Sequence, residues 1–127
     1  MATIKFSDVS RVFERDGKDF LILDNINLTV QDEEFVAIVG PSGCGKTTCM
    51  RMAAGLEFPS SGTVKVNDIQ VSGPGPDRAV VFQQFALFPW KTVYDNIDFG
   101  LRGKGMIKEE RESLIAHYIA LMNLKGY

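Results

Sequence analysis

The chain has few of the residues that would mark a metal-rich or strongly basic protein. Among its 127 residues are two cysteines, one histidine and one tryptophan, and the formal net charge is −2. Cys44 and Cys49 lie five positions apart, which is not a metal-ligand spacing, and unpaired thiols are typical of a cytosolic protein. The slight negative charge provides no electrostatic footprint for nucleic acid, so we expect neither DNA nor RNA as a partner.

Long hydrophobic runs are also missing. The longest uninterrupted apolar segment, residues 35–39, is far shorter than the roughly 20 residues that cross a bilayer. The N-terminus lacks the layout of a signal peptide, so we expect the product to remain in the cytoplasm. With 45% hydrophobic and 24% charged residues, the composition is that of one globular domain with a modest core.

Apolar patterning predicts an α/β protein with at least part of a mixed sheet. Strands are predicted at residues 4–9, 26–30, 35–39, 63–66 and 79–82. The unbroken apolar runs 35–39 and 79–82 are typical of buried parallel strands, whereas the others alternate. Helical spacing predicts helices over residues 46–54, ended by Gly55, and over residues 108–124.

A glycine-rich loop is the strongest pattern in the sequence. Residues 40–47 match G-x-x-x-x-G-K-[ST] at every fixed position, with an apolar run before them and a helix after them. Glycines let backbone N–H groups converge on phosphate oxygens, and a helix N-terminus favours anions. Lys46 is expected to reach the β- and γ-phosphates and Thr47 to ligate Mg²⁺. The loop therefore predicts Mg-ATP binding; the alternative is a plain glycine-rich turn with an exposed lysine.

With this loop placed, the chain resembles the ATP-binding subunit of an ABC transporter over essentially all of its length. Residues 35–57 follow the family pattern closely, residues 81–84 (Val-Phe-Gln-Gln) resemble its Q-loop, and the Pro89-Trp90 pair resembles the nitrate, sulfonate and taurine importer branch. The resemblance implies a P-loop NTPase fold of the ABC ATPase type. It also implies a nucleotide-binding core at residues 1–100 and the start of a helical subdomain at residues 101–127.

The resemblance assigns roles to individual residues as well. Phe13 falls where the family has an aromatic that stacks on adenine, although an ordinary core aromatic is the alternative. Gln83 falls at the glutamine that contacts Mg²⁺ and the attacking water, with a polar strand-end residue as the alternative. Catalytic roles are implied for Lys46 and Gln83, and metal contacts for Thr47 and Gln83. Nucleotide contacts are implied for Phe13, Gly40, Pro41, Ser42, Gly43, Cys44, Gly45, Lys46, Thr47 and Thr48.

A group of apolar residues after the Q-loop is implied to receive the membrane permease. In the family this region lines a groove for a short cytoplasmic permease helix, a known recognition mode. Grouped aromatics in a loop-like stretch are a common mark of a binding surface. The alternative is that they pack inward under the helix at 108–124. The residues concerned are Phe85, Leu87, Phe88, Pro89 and Trp90.

Three elements of the family pattern are not found before Tyr127: the Leu-Ser-Gly-Gly signature, the Walker B strand and the switch histidine. The resemblance therefore covers the N-terminal half of the family, and we expect this chain alone to be unable to hydrolyse ATP, since a base is lacking. Two features within the chain could replace the missing elements. Residues 20–24 superficially resemble a Walker B strand but are interpreted as a plain strand and turn, and His117 as a helix-surface residue.

The resemblance implies the energy-coupling ATPase subunit of an importer, for nitrate, sulfonate, taurine or a similar small solute. Its implied cofactors are ATP and Mg²⁺. Its implied partners are an integral-membrane permease, a second ATP-binding subunit in a homodimer and, indirectly, a substrate-binding protein. Its implied location is the cytoplasm, peripheral on the inner face of the cell membrane. Two alternatives remain open: a non-hydrolysing nucleotide-binding module made as a short chain, and a soluble ABC ATPase of DNA repair or translation.

Overall fold

A long β-hairpin begins the structure, a computed structural model that describes residues 3–84 and 87–126. Strand β1 (Ile4–Arg15) pairs antiparallel with strand β2 (Lys18–Val30). Asp16 and Gly17 form the turn between them with φ of 53° and 68°, and positive φ at both central residues is the mark of a type I′ turn. Both strands therefore extend well beyond the segments 4–9 and 26–30 that alternation predicts.

Two shorter strands complete a four-stranded antiparallel sheet. Strand β3 (Ser61–Val66) pairs with β1, and strand β4 (Ile69–Gln70) pairs with β3, which gives the order β2-β1-β3-β4. Val64 and Val66 are buried, while Thr63 and Lys65, which alternate with them, are only half-buried, as the period of a half-buried strand requires. The strand predicted at 63–66 is confirmed.

Helix α1 (Lys46–Ala53) packs on this sheet. Its buried side chains, Cys49 and Met52, join Val9 and other sheet residues in one apolar core. Gly55 follows the helix with φ 75°, and a Cβ atom there would lie 2.1 Å from the Gly73 carbonyl oxygen. Only glycine fits such a position, so the predicted end of the helix is confirmed together with its start.

The two parallel strands predicted at 35–39 and 79–82 are absent. Neither segment is a strand, and all the pairings among the described residues are antiparallel. Phe35 is 94% exposed and Val81 is 91% exposed. A buried strand needs hydrogen-bonded neighbours, and neither segment pairs with a described strand. The apolar runs indicated extended chain, but the partners that would bury it are not among the described residues.

The chain divides into two compact units, Met1–Val81 and Phe82–Tyr127. The second unit consists mainly of helix α2 (Val93–Gly103) and helix α3 (Lys108–Leu121), which contact each other. Helix α3 confirms the helix predicted from Lys108, although it ends three residues earlier. Helix α2 was not predicted.

Residues 20–24 and His117 both lie within these elements. Residues 20–24 lie within β2, which confirms that they form a plain strand. His117 is exposed on α3, as a helix-surface residue should be. None of the helices in the described ranges is both long and apolar enough to span a membrane.

Candidate functional site

The glycine-rich loop runs from residue 40 to the start of α1 and approaches β2 closely. Gly43 and Gly45 have φ of 82° and 94°, a region that side chains disfavour. A Cβ atom at Gly45 would lie 2.7 Å from Leu23 Cδ2 and 3.1 Å from the Ile22 carbonyl oxygen. The last glycine of the motif is therefore required both by backbone conformation and by contact with the strand behind the loop.

The start of α1 leaves its first backbone N–H groups open. The N-cap residue is Gly45, no side chain caps the helix, and the first turn carries no acidic residue. The first N–H groups of a helix have no partner within the helix. Together with the helix dipole they form an anion-binding end. Thr47 is exposed here and Thr48 is half-buried, so the Thr47 hydroxyl is free to meet a ligand.

Lys46 folds its side chain back over the loop. Its Nζ donates hydrogen bonds to the carbonyl oxygens of Gly40 (2.8 Å) and Pro41 (2.6 Å) and lies 3.6 Å from Cys44 Sγ. The ammonium group thus stands among the loop residues themselves, held by neutral acceptors that an anion can replace. Cys44 and Ser42 are exposed on the same loop.

A recess of about 200 Å³ brings the loop together with a distant aromatic residue. Phe13, 30 positions upstream on β1, lines the same recess as the loop glycines and the first residues of α1. The resemblance implies that Phe13 contacts the nucleotide base, and Phe13 does line the recess beside the loop. The full lining is Phe13, Ile22, Gly43, Gly45, Lys46, Thr47 and Thr48.

Two charged residues connected to Phe13 were not predicted from the sequence. Arg11 places its guanidinium carbon 4.3 Å from the centroid of the Phe13 ring, and its Nη2 lies 2.5 Å from Glu57 Oε1. The signal was available in part, since residues two apart on a strand share a face. The partner Glu57 was not foreseeable, because it lies in the segment between α1 and β3.

Gln83 and the apolar residues after it belong to the second unit. Gln83, Leu87, Pro89 and Trp90 are exposed, with Trp90 77% exposed. Phe88 is half-buried, and its ring lies 4.8 Å from that of Phe99 on α2 and 5.5 Å from that of Trp90. Phe85 lies outside the described residues.

Asn96 organises this segment and was also missed. Its Oδ1 accepts a hydrogen bond from the Phe88 N–H (2.9 Å), and its Nδ2 lies 3.2 Å from the Phe88 carbonyl oxygen and 2.9 Å from that of Thr92. One amide side chain on α2 therefore fixes the turn that presents Trp90. No periodic pattern in the sequence predicts that this asparagine bonds to the backbone of Phe88 and Thr92.

The site fits a nucleoside triphosphate with its metal ion. Open N–H groups, Lys46 and a recess with an aromatic wall match the charges and the shape of phosphates and a base. For Mg²⁺ the available protein ligand is the exposed Thr47 hydroxyl, which suits an ion that keeps most of its waters and binds substrate phosphates. The described residues contain no cluster of three or more His, Cys, Asp or Glu side chains that could form an all-protein metal site.

Known proteins similar to this chain agree with this chemistry. An uncharacterized ABC transporter ATP-binding protein of Methanocaldococcus jannaschii is 46% identical over 124 residues, which cover 98% of this chain and 46% of the relative. The nitrate import ATP-binding protein of Synechocystis is 42% identical, covering 98% and 47% of the two chains. The taurine import ATP-binding protein of Sinorhizobium fredii is also 42% identical, covering 98% and 48%. The chain thus spans about half the length of the curated relatives it matches.

Solved structures extend the similarity to three dimensions. The ATP-binding cassette MJ0796, solved as a dimer in a post-hydrolysis state bound to ADP and Pi, superposes with a TM-score of 0.81 at 29% identity. The match covers 97% of this chain and 58% of that one. The predicted fold class, a P-loop fold of the ABC ATPase type, is confirmed. The family model described as "ABC transporter" matches residues 23–127, and the chain belongs to that family.

Proposed function

We propose that this chain binds Mg-ATP and forms the nucleotide-binding half of the ATPase subunit of an ABC importer. The observation that carries the proposal is the uncapped start of α1, with Lys46 folded over the loop in a recess that Phe13 also lines. Such a site provides N–H donors and a mobile cation for phosphates and an aromatic face for a base.

Each residue of the site has one proposed task. The backbone N–H groups at the start of α1 hold the phosphates, and Lys46 Nζ exchanges the carbonyl oxygens of Gly40 and Pro41 for phosphate oxygens. Thr47 contributes its hydroxyl to Mg²⁺, which supplies charge neutralisation on the phosphates. Phe13 stacks on the base, a contact worth about 1–3 kcal/mol in base–aromatic stacking. Gln83 is the proposed contact to Mg²⁺ and the attacking water.

The transport role is proposed from the relatives. Two of them are named for nitrate and taurine import, so nitrate, sulfonate, taurine or a similar small solute is the proposed cargo. The proposed partners are a membrane permease, a second ATP-binding subunit in a homodimer and, indirectly, a substrate-binding protein. The proposed location is the cytoplasmic face of the membrane. We retain the division into a nucleotide-binding core at 1–100 and the start of a helical subdomain at 101–127 as part of the proposal.

The binding proposal is tested by Lys46→Ala. Without the ammonium group the loop has lost its mobile cation, so stabilisation by Mg-ATP should largely disappear. For wild type, ligand at about 100 times its dissociation constant adds roughly 2.7 kcal/mol of stability. The measurement is a thermal-shift titration with Mg-ATP. Lys18→Ala, at an exposed lysine on β2, is the matched control, and equal stabilisation of Lys46→Ala and wild type would disprove the proposal.

Hydrolysis by this chain alone is a separate expectation. Among the described residues that line the recess there is no carboxylate or histidine, the side chains that most often act as the general base for water. We expect phosphate release at the background rate even at high protein concentration. Release above background that disappears in Lys46→Ala would show that another group of the chain acts as the base.

A further inference from the structure

The Phe13 ring has a charged neighbour that phosphate binding does not require. The guanidinium carbon of Arg11 lies 4.3 Å from the ring centroid, well within the distance of a cation–π contact. Both residues are on β1, and both are half-buried. Such a contact occupies one face of the aromatic ring and limits how the ring can rotate.

Arg11 is itself held in place by an ion pair with Glu57. Its Nη2 lies 2.5 Å from Glu57 Oε1, and the two side chains are only 23% and 20% exposed. Arg11 Nε is buried and has no hydrogen-bond partner among the described residues. A buried N–H without an acceptor is costly, so hydrogen bonding alone does not account for this placement. The Phe13 ring is the electron-rich group that the guanidinium faces instead.

The same ring lines the recess beside Lys46 and the loop glycines. We propose that Arg11, anchored by Glu57, is a positioning residue for the nucleotide base. It holds one face of Phe13 so that the opposite face is presented to a base whose phosphates occupy the loop. This inference rests on the proposed nucleotide function and concerns the base rather than the phosphates.

Arg11 favours stacking of a base on Phe13 through two physical effects. A ring whose rotation is already restricted loses less conformational freedom when a base stacks on it, which is the advantage of preorganisation. The cation also withdraws electron density from the ring, which reduces its repulsion with the electron-rich face of a purine. Both effects act on the base, so they change the difference in affinity between a nucleotide and its bare phosphate chain.

The test is calorimetric titration of the 127-residue chain with Mg-ATP and with Mg-tripolyphosphate, which lacks the base and sugar. The measured quantity is the dissociation constant for Mg-tripolyphosphate divided by that for Mg-ATP, which is large when the base contributes to binding. Phe13→Ala should lower this ratio by about fivefold or more. Arg11→Met keeps an unbranched apolar side chain and removes the charge, and should lower the ratio by about two- to fivefold. Glu57→Gln, which weakens the ion pair that anchors Arg11, should also lower the ratio.

Arg15→Met is the matched control, because Arg15 lies on the same strand with a side chain that is 83% exposed. It should leave the ratio unchanged. A wild-type ratio in Arg11→Met, or in Glu57→Gln if Arg11→Met does not fold, overturns the inference. So does an equal loss of affinity for both ligands, since that is what a merely structural role produces. Binding of both ligands that is insensitive to Lys46→Ala would instead overturn the proposed function.

Discussion

The two cysteines differ in environment although they are only five residues apart. Cys44 is exposed on the phosphate-binding loop, with its sulfur 3.6 Å from Lys46 Nζ. Cys49, on α1, is only 6% exposed in the core, and burial raises the pKa of its thiol. A raised pKa leaves less of the reactive thiolate at neutral pH. The chain therefore contains one accessible thiol at the candidate site and one inert thiol below it.

We predict that Cys44 is alkylated readily in the empty protein and is protected by Mg-ATP, whereas Cys49 reacts only on unfolding. The ligand covers the loop, and the core excludes the reagent from Cys49. Mass spectrometry after brief iodoacetamide treatment measures both sites in one sample, so that Cys49 is the internal control. Labelling of Cys44 that Mg-ATP does not slow would contradict the assignment of this loop to the nucleotide.

At the scale of elements, a buried carboxylate joins the two helices of the second unit. Asp98 on α2 is 3% exposed. Its oxygens lie 2.5 Å from Arg102 Nε on the same helix and 2.8 Å from Arg111 Nε on α3. Burial raises the pKa of Asp98, but hydrogen bonds and charge from the two arginines outweigh that effect and lower the pKa below its usual value.

We predict that Asp98→Asn loosens the contact between α2 and α3, because two arginines lose their shared counter-ion. A lowered pKa in the folded state means that Asp98 stabilises the fold above the unfolded-state pKa. This contribution is lost as pH falls through the lower folded-state pKa. Hydrogen exchange of the amides in α2 and α3 measures the effect. The variant should exchange faster than wild type at pH 7, with the difference shrinking in acid.

The control for this prediction is Glu112→Gln, which makes the same change of charge on α3. Glu112 is half exposed and pairs with Lys108 at 3.7 Å, and exposed pairs of this kind contribute little. Its exchange should follow wild type across the pH range. If Asp98→Asn also exchanges like wild type at pH 7, the buried ion pair does not hold the helices together.

How far the sequence predicts the elements depends on whether their determinants are local. Helix α1 was predicted from Lys46 because a glycine-rich turn and a terminal glycine lie next to it in the chain. Helix α2 also has a local signal, which lies at its N-terminus. The Thr92 hydroxyl accepts a hydrogen bond from the Asp95 N–H at 3.0 Å and donates one to the Asp95 carboxylate at 2.8 Å. A threonine followed three residues later by an acidic residue is a recognisable helix start.

The strands predicted at 35–39 and 79–82 were wrong because their determinants are not local. Their apolar residues do indicate extended chain, but a parallel strand depends on neighbours from elsewhere in the sequence. The residues of the candidate site also fall into those with local signals and those with distant partners. The loop and Lys46 are local and were predicted from the motif, whereas Glu57 and Asn96 act through contacts across 46 and 8 positions. No periodicity reveals such partners.

On the scale of the whole molecule, large apolar side chains remain in contact with solvent in both units. In the first unit Phe35 is 94% exposed and Val39 is 87% exposed. In the second, Leu87 is 65% exposed and Trp90 is 77% exposed. Grouped exposure of this kind is typical of surfaces that another chain or segment covers. The chain spans about half the length of its curated relatives, and whether a partner covers these exposed residues is a question for experiment.

Trp90 and Phe88 should behave differently if the segment after the Q-loop meets a permease. Trp90 is exposed on a turn that Asn96 fixes, so Trp90→Asp should prevent permease binding and leave the second unit folded. Phe88 is half-buried against Phe99, so Phe88→Asp should also destabilise that unit. We expect Mg-ATP binding to persist in Trp90→Asp, because the residues of the phosphate recess lie in the first unit.

The measurement is co-purification with the cognate permease, together with the thermal shift by Mg-ATP for each variant. Leu121→Asp on α3 is the matched control, since Leu121 is apolar and 67% exposed but lies outside the segment. A buried aromatic anchor contributes about 2 kcal/mol or more to an interface, which corresponds to a loss of binding of more than about tenfold. Normal co-purification of Trp90→Asp would mean that this face does not meet the permease. Loss in Leu121→Asp alone would move the interface to α3.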